Sequence, residues 1–119
     1  MKIAVTSQGP SLDAEMDPRF GRAAYVLIVD TDSLKFEVID NSVNANALKG
    51  AGIMAATAVS EKGVQVLVTG YCGPKAFLTL EAAGIKIVSD ISGTVEDAVM
   101  KFKSGDVKYT DSANVEAHW

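Results

Sequence analysis

The chain has 119 residues, enough for one domain that buries roughly two-thirds of the surface it would expose unfolded. Its 48% hydrophobic and 22% charged residues are ordinary for a globular domain in water, and no apolar run approaches the roughly 20 residues that cross a bilayer. A net charge of −4 and a pI of about 4.8 oppose nonspecific binding to nucleic acid or an anionic membrane, but not the capture of a small anion by a few local donors.

Residues 2–6 alternate around Ile3 and Val5 and predict a first strand. The opening six residues are too short for the apolar core of a signal peptide, so the expected location is the cytoplasm. Residues 7–22 read as a long polar loop holding Gly9-Pro10, Asp17-Pro18 and Gly21, and structureless loops of about 15 residues in small domains are often functional. Residues 24–30 are almost continuously apolar and predict a buried strand. A turn at Thr31-Asp32-Ser33 leads to residues 35–40, whose alternation and charges suit the edge strand of a hairpin.

A second polar loop covers residues 41–46. Residues 51–62, rich in alanine, predict a helix packed closely on a sheet, with Gly63 as its C-cap. Residues 64–69 carry a strong central-strand signal. Pro74 suits the first turn of a helix that runs to about Ala83 and stops at Gly84. Residues 85–88 are a last strand. Thr94 and Asp97 form a capping-box pattern, with Asp in place of Glu, ahead of a helix marked by Val95, Ala98, Val99 and Phe102 and ended by Gly105. Residues 106–119 are polar and expected to be loose. The order, a hairpin followed by alternating helices and strands, implies an α/β domain with a mixed sheet and helices on its faces.

Metal ligation by side chains finds few candidates. Structural zinc needs about four Cys, His or carboxylate ligands, and ordinary iron–sulfur clusters need about four thiolates. The chain offers one Cys, Cys72, and one His, His118, in the polar tail. Asp13, Glu15 and Asp17 alternate like the start of a calcium loop, but Pro18 stands where that loop needs Gly and Ala24 where it needs Glu. No base is identifiable beside Cys72, Ser7 or Thr6, so Cys72 reads first as a small buried hydrophobe. A two-metal nuclease would need clustered carboxylates on the central strands, and residues 3–6 and 64–69 contain none.

The glycine-rich turns say more. Gly50-Ala51-Gly52-Ile53 and Gly70-Tyr71-Cys72-Gly73-Pro74-Lys75 each precede or open a helix, whose first N–H groups and positive dipole end suit an anion. Gly50 to Ala55 also fits the relaxed dinucleotide fingerprint, but the preceding strand ends ten residues earlier and no acid follows at the required distance. If the first and fourth strands are neighbours, the sheet reverses its winding between them, and ligands prefer that crevice. In Asp17-Pro18-Arg19-Phe20-Gly21-Arg22, two guanidinium groups flank an aromatic; either they bind an anion or Arg19 pairs with Asp17 at the surface.

Taken in order, Met16-Asp17-Pro18-Arg19-Phe20-Gly21-Arg22-Ala23, Gly50-Ala51-Gly52-Ile53 and Gly70-Tyr71-Cys72-Gly73-Pro74-Lys75-Ala76 resemble the dinitrogenase iron–molybdenum cofactor biosynthesis family over about residues 1–105. The resemblance implies a three-layer ribonuclease-H-like fold with a five-stranded mixed sheet and helices on both faces. It implies a noncatalytic binding protein or carrier for an anionic metal–sulfide cluster. Residues 1–24 are especially similar to a small member of that family, for which the ligand would be a noncovalently held molybdenum–copper sulfide cluster. An iron–molybdenum–sulfur cofactor precursor is the alternative. In such clusters sulfide already completes the metal coordination, so N–H donors, cations and an apolar wall suffice. The residues that carry over are Arg19, Phe20, Gly21 and Arg22; Gly50, Gly52 and Ile53; and Gly70, Cys72, Gly73, Pro74 and Lys75. Cys72 is expected to line the pocket without bonding a metal. The partners expected are the cluster and a protein such as an ATPase or cluster-accepting protein, with Tyr109 and Trp119 in the tail of residues 106–119 as a contact.

Overall fold

Side chains along a strand point alternately to its two faces, and here both sets are apolar, so both faces of the sheet must be covered. The structure, a computed structural model, describes residues 1–111. Strand β1 (Lys2–Ser7) is central, antiparallel to β2 (Tyr25–Asp30), which is antiparallel to β3 (Phe36–Asp40). On its other side β1 runs parallel to β4 (Val66–Val68), and β4 parallel to β5 (Lys86–Val88). The sheet order is β3-β2-β1-β4-β5, the expected mixed sheet of five strands.

The register sorts the core. Ile3 lies opposite Val29 and Val66, and Val5 opposite Leu27 and Val68; Ala4, between them, lies opposite Ile28 and Leu67. The first set packs under helix α4 (Val95–Ser104) through Val95, Ala98 and Val99. The second packs under α2 (Ala51–Ser60) through Ala55, Ala56 and Val59, and under α3 (Pro74–Ala82) through Ala76, Phe77 and Leu80. Helices therefore cover both faces. Each fully buried aliphatic side chain, such as Leu67 or Leu80, contributes about 2 kcal/mol by leaving water.

Helix α4 starts as its sequence dictates. Thr94 Oγ1 accepts from the Asp97 N–H at 3.0 Å, and Asp97 Oδ2 accepts from the Thr94 N–H at 3.1 Å. Lys101 and Lys103 sit in its last turn, where cations complement the dipole.

Some boundaries differ from expectation. The polar loop at residues 41–46 contains a four-residue helix, α1 (Ser42–Ala45). Helix α2 ends at Ser60 with Glu61 as C-cap; Gly63, expected there, lies two residues further on in a left-handed turn. Residues 7–22 are not structureless. Ser7 bridges Met16, Glu15 bridges Thr94 and Arg19 bridges Tyr71, because Met16 and Phe20 are drawn into the core. The tail expected to be loose from residue 106 is pinned in its described part. Thr110 bridges Ile87 on the outer edge of β5, with its N–H 2.6 Å from the Ile87 carbonyl, and the Lys86 ammonium lies 5.0 Å over the Tyr109 ring. Residues 112–119, with His118 and Trp119, lie outside the described residues, so the expectations placed on them are neither met nor corrected. Among the described residues no helix is long and apolar enough to cross a membrane.

Candidate functional site

Connectivity fixes where loops gather. From β1 the chain turns into the hairpin on one side, and the crossovers place β4 and β5 on the other, so the winding reverses between β1 and β4. Since β1, β3 and β4 all run the same way, the loop after β1, the segment after β3 and the turn after β4 emerge at one end of the sheet. Crevices at such ends are where open α/β sheets hold ligands.

Backbone contacts lock these loops together. The Tyr71 N–H donates to the Pro18 carbonyl at 2.7 Å, and the Phe20 N–H to the Tyr71 carbonyl at 3.0 Å. A Cβ on Gly70 would lie 2.7 Å from the Pro18 carbonyl oxygen. Gly21, with φ +89°, rests on helix α2 so closely that a Cβ would lie 2.8 Å from Gly52 Cα. A Cβ on Gly52 would in turn meet the Ala76 Cβ at 3.0 Å, which draws α2 against α3. Gly21, Gly52 and Gly70 are thus packing glycines. Buried Asn41, which the sequence reading passed over, donates from Nδ2 to the carbonyls of Gly21 at 3.1 Å and Ala23 at 2.9 Å. Buried Thr6 and Thr69, at the ends of β1 and β4, share a 2.9 Å hydroxyl contact.

Between loop and helices opens a cleft of about 280 Å³. Seven of the twelve expected residues line it: Phe20, Arg22, Gly50, Gly52, Ile53, Gly73 and Lys75. Leu48, Lys49, Ala51 and Ala76 join them unforeseen. Lys49 was legible in principle, as a cation one residue before a helix-opening glycine. Helices α2 and α3 both begin here, at Gly50 and Gly73, and neither has a side-chain cap. Their first N–H groups, with Lys49, Lys75 and Arg22, make this end locally positive in an acidic chain. Phe20, Leu48 and Ile53 supply an apolar wall.

The other expected residues lie elsewhere. Arg19 Nε sits 3.5 Å from Asp17 Oδ1, which also accepts from the Arg19 N–H at 3.0 Å, so the pairing with Asp17 prevails, though the carboxylate is buried and only the guanidinium reaches the surface. Gly21, Gly70 and Pro74 shape the backbone without lining the cleft. The expectation that Cys72 lines the pocket is corrected: its side chain is buried in the core beneath α2 and α3, since the turn that starts α3 directs it inward. Burial pushes its thiol up from its ordinary 9.0 to about 12. Because burial favours the neutral form, the stability Cys72 contributes should be complete below about pH 9.0 and fall as pH climbs toward about 12. The check is alkylation by iodoacetamide at pH near 8: slow in the native protein and fast in guanidinium. Rapid native labelling would contradict the burial. Among the described residues, no three His, Cys, Asp or Glu side chains gather as a metal site.

Comparison with known proteins adds an independent line. The sequence profile of the family described as dinitrogenase iron-molybdenum cofactor matches residues 1–105. The apo form of the orange protein from Desulfovibrio gigas is 47% identical, covers 96% of each chain and has a TM-score of 0.93. A Thermotoga protein assigned to NifB and to the DUF35 family is 34% identical over 96% of this chain and 97% of its own, with a TM-score of 0.83. An uncharacterized protein of Methanocaldococcus jannaschii is 25% identical over 91% of this chain and 90% of its own.

Proposed function

Because the chain belongs to the dinitrogenase iron–molybdenum cofactor family, we propose that it is a cytoplasmic, noncatalytic carrier that holds an anionic metal–sulfide cluster noncovalently in this cleft. The observation that carries the reading is the donor set. Two uncapped helix N-termini and the cations of Lys49, Lys75 and Arg22 face one small cavity whose remaining wall is apolar. N–H groups and cations suit sulfide or other anionic surfaces, not bare metal ions, which need thiolate, imidazole or carboxylate.

A cluster whose metals are already saturated by sulfide fits such a site as cargo. The helix termini would orient it, the cations would balance its charge, and Phe20, Leu48 and Ile53 would exclude water from its apolar flank. The species we favour is a molybdenum–copper sulfide cluster. The resemblance of residues 1–24 to the small family member, which is the orange protein, together with likeness to that protein over nearly the whole chain, supports it over an iron–molybdenum–sulfur precursor.

The test is reconstitution. Purified protein mixed with tetrathiomolybdate and copper should gain charge-transfer absorption that co-migrates with it on gel filtration, in fixed stoichiometry. Absorption that elutes apart from the protein would overturn the proposal. Preferential uptake of an iron–molybdenum–sulfur species would replace the favoured cargo with the alternative.

A further inference from the structure

The segment between β3 and α2 is held unlike the rest of the domain. Helix α1 buries no residue, Val43 is 84% exposed and Leu48 is 98% exposed, so apolar packing contributes little to its position. Local hydrogen bonds shape it: the Ala45 N–H donates to the Asn41 carbonyl, and Asn46 Nδ2 to the Ser42 carbonyl. Among the described residues, the hydrogen bonds that tie residues 43–49 to the domain beyond Asn41 both come from one guanidinium. Arg22 Nη1 donates to the Ala45 carbonyl at 2.9 Å and the Ala47 carbonyl at 2.8 Å. Segments held by few bonds and little buried area open at low free-energy cost.

The two ends of this segment differ. Asn41 is fixed by its buried amide bonds to the first loop. Gly50, with φ +74°, has open space where a side chain would stand, so nothing packs against it from that side. Between these points the chain carries Leu48 and Lys49 along the cleft, which Arg22 also lines. With Nη1 committed to the segment, Nη2 and Nε of Arg22 make no hydrogen bond among the described residues and can serve an anion.

We infer that residues 42–49 form a flap that closes over the loaded cleft, and that Arg22 is the positioning residue that latches it by bonding the flap and the anion at once. The inference rests on the carrier reading. An anion in the cleft attracts Lys49 and orients the Arg22 fork, and the closing flap lays Leu48 over the cargo.

Digestion by a lysine-specific endoproteinase reads the flap directly, because Lys49 is an exposed cleavage point within the hinge region. Lys35, in the β2–β3 turn at the far end of the sheet, is the internal control. Loading with tetrathiomolybdate and copper is expected to slow cleavage after Lys49 by about tenfold or more and leave Lys35 unchanged. In Arg22→Gln, compared with wild type at equal loading, protection of Lys49 should fall below about twofold and the cluster should be released about tenfold faster. Arg22→Lys should behave like Arg22→Gln, since charge without the fork cannot reach both carbonyls. Leu48→Ser, at an exposed position that folding does not need, should also speed release and carries the test if the Arg22 variants fail to fold. A bound cluster without protection of Lys49 overturns the flap and leaves the carrier reading intact. Equal protection in wild type and Arg22→Gln overturns the latch. Failure of any cluster to bind overturns the carrier reading and the flap with it.

Discussion

Replacing Gly21 by alanine is expected to cost about 4 kcal/mol of stability, a large part of the 5–15 kcal/mol typical of a small domain. Two effects add. At φ +89° a side-chain-bearing residue is strained by about 1–3 kcal/mol. The new Cβ would also stand 2.8 Å from Gly52 Cα and 2.9 Å from its nitrogen, which are backbone atoms that cannot rotate aside. Such overpacking costs about 1–3 kcal/mol more. Gly84→Ala is the matched control, because Gly84 also has a positive φ, +77°, but nothing lies within 4 Å of its Cβ position. It should lose only the conformational part, about 1–2 kcal/mol. Urea midpoints at unchanged m-value measure both. Equal losses would show that the contact between first loop and α2 is unimportant. Since the same contact seats the loop that brings Phe20 and Arg22 to the cleft, Gly21→Ala should also lose reconstituted absorption below its unfolding midpoint.

The double variant Lys49→Gln/Lys75→Gln is expected to weaken cluster binding by about a hundredfold, roughly tenfold for each cation after screening by salt. Neither lysine forms an ion pair among the described residues, so their removal leaves no stranded partner, and folding should be unaffected. Titration at low and high salt is the check. Wild-type affinity should fall steeply with salt and that of the variant only slightly. Equal affinities with equal salt dependence would mean that the uncapped N-termini of α2 and α3, together with shape, hold the anion unaided.

Much of the architecture is local and therefore legible. The alternation of residues 2–6 and 35–40, the apolar run of 24–30, Pro74 at the start of α3 and the Thr94–Asp97 box each reflect forces among near neighbours. The site was legible only as a neighbourhood. Its glycines were visible, but whether a glycine admits a ligand or another loop depends on what faces it. Gly21 and Gly70 face Gly52 and Pro18. Leu48 follows no period and sits in a loop with no element signal, and Lys49 is visible in sequence only as a cation before a glycine; their place along the cleft gives both a role. Arg19 and Arg22 look alike in sequence, yet one pairs with the buried Asp17 carboxylate and the other bonds the Ala45 and Ala47 carbonyls.

By itself the sequence determined the class of the domain, the order of its elements, its family resemblance and the poverty of thiol and imidazole ligands, because these depend on composition and on spacing along the chain. The tertiary structure alone decided that the three glycine-bearing turns meet at one end of the sheet, that Cys72 points into the core, and that two helix N-termini and three cations share a single cleft. Those outcomes turn on approaches of a few ångströms between residues some 20 to 60 positions apart, such as Gly21 against Gly52 and Pro18 against Gly70. No local preference encodes such distances; they follow from how the sheet reverses its winding between β1 and β4.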